Sequence, residues 1–77
     1  MILQEAASLH YNDIEVIDKK YGFTRREKEI FKLVVKGLGA VETSKELGIS
    51  KETAKVHIHN IFRKMGIARR SEILSML

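Results

Sequence analysis

The chain has 77 residues with no cysteine and no proline, and its 14 basic and 10 acidic side chains give a net charge of +4 with histidine neutral. That length allows one small core of helices but no deep substrate pocket. The absence of cysteine excludes a disulfide framework, a thiolate zinc site and a cysteine nucleophile.

No apolar run approaches the ~20 residues of a membrane span. The start lacks the basic flank and continuous apolar stretch of a signal peptide, so a soluble, cytoplasmic chain is expected. The charge is uneven: residues 1–22 hold two basic against four acidic side chains, a net −2, and residues 23–77 hold twelve against six, a net +6. A basic second part attracts polyanions through counterion release, which makes nucleic acid the first partner to consider, beside the plainer reading of a solvated surface.

In chain order, residues 1–22 carry Leu3, Ala7, His10, Ile14, Ile17 and Tyr21 at the alternating steps of four and three that make a heptad seam. Asn12 and Asp13 are able to break that run and cap a separate short helix. The stripe is expected to pack on the basic domain rather than to self-associate, since a coiled coil usually needs three or more heptads.

Next, Thr24 and Glu27 have capping-box spacing ahead of Ile30, Phe31, Leu33 and Val34, which predicts a helix over 25–36 ending before Gly37. A short helix fits 41–47. Gly48 then supplies a residue tolerant of positive φ, and Ser50 caps a longer helix that runs to Met65 and stops at Gly66. Residues 69–77 carry Ile73, Leu74 and Leu77 and read as a further helix. No segment shows sustained strand alternation, so the class is all-α.

A short helix, a glycine turn and a longer helix form a helix-turn-helix over about 40–59, in which the second helix is able to enter a major groove. At ~100° per residue, Ala54, Ile58, Ile61, Phe62 and Met65 share one sector of the helix over about 51–65 and fix its core side. Glu52, Val56, His59 and Arg63 lie opposite, with Lys55 and Asn60 on the flanks. Val56 is an apolar residue on the outward face, and a valine there is able to meet a thymine methyl while neighbouring Lys, Arg or His donate to guanine edges or phosphates. The plainer reading is a lone exposed aliphatic side chain.

Ser50 and Thr53 stand in the first turn, where free amides favour an anion, although ordinary capping accounts for Ser50 as well. His57 and His59, two apart on a helix, point roughly 200° from each other and cannot share a metal ion, so no metal and no cofactor are expected. His57 lies at the edge of the core stripe and His59 faces outward. No nucleophile, base and orienting group come together, and an enzyme is not expected.

Phe23-Thr24-Arg25-Arg26-Glu27-Lys28-Glu29-Ile30-Phe31 and the following residues to Leu38 resemble the opening of LuxR-type DNA-binding domains. Leu47-Gly48-Ile49-Ser50, Thr53-Ala54-Lys55-Val56-His57, Asn60-Ile61, Lys64-Met65-Gly66-Ile67 and Arg70 follow in the order of that family's later elements, covering about 55 of the 77 residues. The resemblance implies a four-helix domain over 23–77, with residues 1–22 as an additional helical extension or linker. In that family the third helix docks in the major groove and the fourth commonly pairs.

By that resemblance Lys55, Val56 and His59 reach base edges. Ser50, Lys51, Thr53, Asn60, Arg63 and Lys64 fix the DNA backbone or its flanks, Glu27 and Arg70 form an architectural pair, and Ile73, Leu74 and Leu77 serve dimerisation. The implied partner is double-stranded DNA, bound as a homodimer to regulate transcription, with RNA polymerase as a further contact and no membrane or small-molecule substrate. The module is commonly the carboxyl-terminal output domain of a longer response regulator. A protein-interaction module on the same scaffold and a sigma-factor-like promoter reader are the alternatives.

Four residues depart from the family pattern. Thr43 and Ser44 stand where an apolar residue and alanine are usual, Val41 stands where a polar one is, and Ala54 replaces valine. The expectation is a looser short helix unless the hydroxyls bond back to the backbone.

Overall fold

A computed structural model describes residues 11–73 and 75, and side chains from residue 15 onward. Four α-helices run in order: α1 Tyr11–Tyr21, α2 Arg25–Val35, α3 Ala40–Leu47 and α4 Lys51–Met65, followed by a 3-10 turn over Arg70–Glu72. The described residues contain no strand. The expected all-α class is the one observed.

Each boundary has a local chemical cause. The Thr24 hydroxyl accepts from the Glu27 amide at 3.1 Å, and the Glu27 carboxylate accepts from the Thr24 amide at 2.9 Å, so the predicted capping box opens α2. α3 begins one residue earlier than expected. Glu42 reaches back from its third position to the Gly39 amide at 2.9 Å and supplies the cap that glycine lacks.

α3 ends at Gly48, whose φ of 68° is the left-handed conformation that a Cβ disfavours. The Ile49 amide then returns to the Ser44 carbonyl at 3.0 Å, closing a tight turn. Ser50 starts α4 at once, with its Oγ accepting from the Thr53 amide at 3.0 Å. The two helices of the motif therefore pack across a turn of three residues.

The core is formed by Ile30, Phe31 and Val34 of α2, Ile61 and Met65 of α4, and Ile17, Phe23 and Ile73 from the segments on either side. Full burial of a side chain such as Phe31 or Ile61 contributes roughly 1.5–3 kcal/mol each. α4 packs on both α2 and α3, which fixes its axis.

Of the amino-terminal stripe, Ile17 is buried and Tyr21 half-buried against this core. Lys28 of α2 adds an ion pair to Glu15 at 2.7 Å, with Asp18 at 3.8 Å. Leu3, Ala7 and His10 lie outside the described residues, as does the Ile14 side chain.

The final stretch differs from the expected α-helix over 69–77, because its described part opens as the 3-10 turn. Glu72 Oε2 accepts from the Ala68 and Arg69 amides at 2.8 and 3.0 Å and caps this turn, with Arg69 extended ahead of it. Leu74 and Leu77 lie outside the described residues.

Thr43 and Ser44 resolve the expected weakness of α3 in opposite ways. Ser44 Oγ donates to the Val41 carbonyl at 2.6 Å, the backbone rescue anticipated for it. The Thr43 hydroxyl is fully buried without a hydrogen-bond partner among the described residues.

Candidate nucleic-acid interface

The outward face of α4 is the candidate site, and the tight turn after α3 presents it. Ala54, Ile61 and Met65 are buried, while Ile58 and Phe62 are half-buried against the core, as the helical spacing requires. On the other side Glu52, Lys55, Val56, His59 and Arg63 are exposed. Val56 keeps 58 % of its surface open, more than any other apolar side chain of α4. Lys55 and His59, one residue before it and one turn after it, flank it with donors.

The first turn of α4 sorts its hydroxyls. Ser50 Oγ accepts from the Thr53 amide and donates its only proton to Thr53 Oγ1 at 2.8 Å, so Ser50 is occupied as a cap. The Thr53 hydroxyl proton is the one left to meet an anion at the helix start. Lys51 is exposed beside it. Further along, Arg63 donates to Asn60 Oδ1 at 2.6 Å, which orients the Asn60 amide and holds the guanidinium along the helix.

The geometry bears on three expected roles. Lys64 is bound inside the chain: its Nζ donates to Glu27 Oε1 at 2.6 Å and to the Gly22 carbonyl at 3.2 Å, so its charge is committed to joining α4 to the start of α2. Glu27 thus pairs with Lys64 and not with Arg70. Burial alone raises the Glu27 carboxyl, but the Lys64 hydrogen bond and charge, with the Thr24 contacts, outweigh it and hold the group below the ordinary carboxylate range.

Arg70 instead donates to the Leu38 carbonyl at 2.8 Å, tying the 3-10 turn to the loop before α3. Ile73, expected to serve dimerisation, is buried in the chain's own core because the turn folds back over α2 and α4.

One basic residue escaped the sequence reading. Arg69 lines, together with Lys55 and Arg63, an open groove of about 790 Å³ between α4, residues 38–40 and residues 68–70. Its signal was a cationic side chain where a helix start ordinarily uses Ser, Thr, Asp or Asn. Among the described residues no group of three His, Asp or Glu side chains is placed to hold a metal ion. No helix of the described residues is long and apolar enough to cross a membrane.

This architecture, two helices about a glycine turn with the second held outward on a fixed core, defines a helix-turn-helix domain. The model of the family described as bacterial regulatory proteins, luxR family, matches residues 22–77, and the chain belongs to that family. It is 41% identical over 49 residues to the spore germination protein GerE of Bacillus subtilis, covering 64% of this chain and 66% of GerE. It is 35% identical over 60 residues to the response regulator protein TodT of Pseudomonas putida, covering 78% of this chain and 26% of TodT. A probable transcriptional regulatory protein, SgaR of Hyphomicrobium methylovorum, is 30% identical over 71 residues, covering 90% of this chain and 34% of SgaR. The chain thus spans about a quarter of TodT and a third of SgaR. No solved structure gives a significant match.

Proposed function

We propose that this chain binds duplex DNA in a sequence-specific manner as the output domain of a bacterial transcription regulator, acting in the cytoplasm with α4 in the major groove. The observation that carries the reading is Val56, open on an otherwise polar face and set between Lys55 and His59, while Ala54, Ile61 and Met65 are buried and Ile58 and Phe62 half-buried. Lys55, Val56 and His59 read base edges; Lys51, Thr53 and Arg63 hold the backbone. The matched family is one of bacterial regulatory proteins.

The small share of TodT and SgaR that the chain covers fits a module whose work is directed by a separate domain. Residues 1–22 serve as a helical extension or linker of the module. Binding is dimeric, on two half-sites about one helical turn apart.

Selection of bound sequences from a random duplex library tests this, with the native chain compared with Lys55→Ala and Val56→Ala. An enriched palindromic site that either substitution relaxes supports the reading; failure of the native chain to enrich any sequence overturns it.

A further inference from the structure

The groove between α4, residues 38–40 and residues 68–70 lies beside the base-reading face and shares Lys55, Val56, His59 and Arg63 with it. We propose that this groove holds the sugar–phosphate strand bordering the major groove that α4 enters, and that Arg69 is a phosphate-contacting residue on its far wall. The inference rests on the DNA reading above and adds to it a second wall of contact, outside the helix-turn-helix.

Four observations carry it. The first is charge. Among the described residues lining the groove are Lys55, Arg63, Arg69 and Arg70, and none is acidic, although the chain has ten carboxylate side chains. A site of that sign is matched to an anion.

The second is the chemistry of the floor. Leu38, Ile58 and Phe62 add apolar surface to the same lining as the cations, which suits a strand in which apolar deoxyribose alternates with phosphate. The third is width. A helix of about 10–12 Å diameter fills a major groove about 12 Å wide, so the flanks of α4 face the phosphate walls while its crest faces the bases. The groove lies along one of those flanks.

The fourth is what Arg69 does not do. Its position is the cap of the 3-10 turn, yet the capping is done by the Glu72 carboxylate, and the Arg69 side chain caps nothing. Arg70 is the contrasting neighbour, since it donates to the Leu38 carbonyl and builds the wall on which Arg69 stands. Of the two arginines, Arg70 holds the wall together and Arg69 is presented by it.

The test is the salt dependence of affinity for the selected duplex, measured for the native chain, Arg69→Gln and Arg69→Lys, each with a melting temperature as a folding control. Loss of one phosphate contact lowers the slope of log Kd against log salt by about 0.9 and weakens specific and random duplexes by the same factor, on the order of tenfold at low salt. Arg69→Lys is expected to retain the slope. Duplexes carrying a single uncharged phosphate localise the contact: one position weakens the native chain and leaves Arg69→Gln unaffected.

An unchanged slope in Arg69→Gln, with native binding intact, overturns this proposal alone and leaves the groove to an acidic protein segment. The absence of salt-sensitive binding by the native chain overturns the DNA reading and the proposal with it.

Discussion

The two sides of α4 contrast in how their chemistry is spent. On the inward side Ala54, Ile61 and Met65 are buried, and at its edge even the charge of Lys64 is consumed by Glu27 and the Gly22 carbonyl. On the outward side Lys55 and Val56 have no partner of that kind among the described residues, although Lys55 and Lys64 look interchangeable in the sequence. A count of basic residues therefore overstates the interface. The charge that serves recognition is the part that folding leaves unused.

The largest expected effect separates the two sides outright. Ile61→Ala removes a fully buried side chain and is expected to cost about 2–5 kcal/mol of folding free energy. Val56→Ala is expected to stay within about 0.5 kcal/mol, since the residue is exposed, while lowering selectivity for the bound sequence. Chemical denaturation and duplex titration of both variants check this. Comparable stability losses in the two would erase the distinction.

The second effect distinguishes the two lysines. Lys64→Met leaves the buried Glu27 carboxylate without its cation, and we expect about 1–2 kcal/mol of destabilisation, reduced from a fully buried pair because the Lys64 side chain is 35% exposed. Lys55→Met is expected to leave the melting temperature unchanged and weaken DNA. Denaturation curves that show the reverse order would move Lys64 back to the interface.

How much of this was legible in the sequence follows from the distance over which each feature is determined. The capping box of Thr24 and Glu27, the left-handed Gly48 and the Ser50 cap are settled within four residues, and each appears where local chemistry placed it. The sector of α4 carrying Ala54, Ile61 and Met65 is equally readable, because helical geometry alone assigns it. The partner of Lys64 was not readable, since it depends on α4 meeting residues 22 and 27 across the fold.

The same holds for Arg70, whose acceptor is the Leu38 carbonyl, and for Ile73, whose burial depends on the turn folding back. Burial of Ile73 and the ion pair of Lys64 both rest on contacts across the fold that the local sequence does not carry.

A third, smaller effect sharpens the contrast through pH. The Glu27 carboxyl titrates below its ordinary value of 4.5, so its contribution to stability is complete above that value and is lost as pH falls from there through the lower folded value. Melting temperature is expected to fall as pH drops below about 4.5. Glu27→Gln is expected to flatten that part of the curve and to lower stability at neutral pH. A profile that stays equally steep in Glu27→Gln would assign the acid sensitivity to other carboxylates.

The smallest effect concerns α3, which carries α4 into place. Ser44 and Thr43 are adjacent hydroxyl residues on its buried side, and only Ser44 finds an acceptor, the Val41 carbonyl at 2.6 Å. Thr43→Val keeps the shape and removes a buried hydroxyl that makes no hydrogen bond, so it is expected to stabilise the domain by about 1 kcal/mol. Ser44→Ala is expected to change stability by less, since it gives up a hydrogen bond and a buried polar group together. Because Thr43 faces the core, neither the bound sequence nor the salt slope is expected to change with it. A destabilised Thr43→Val would mean that its hydroxyl is satisfied in solution and belongs among the groups that hold α3 against α4.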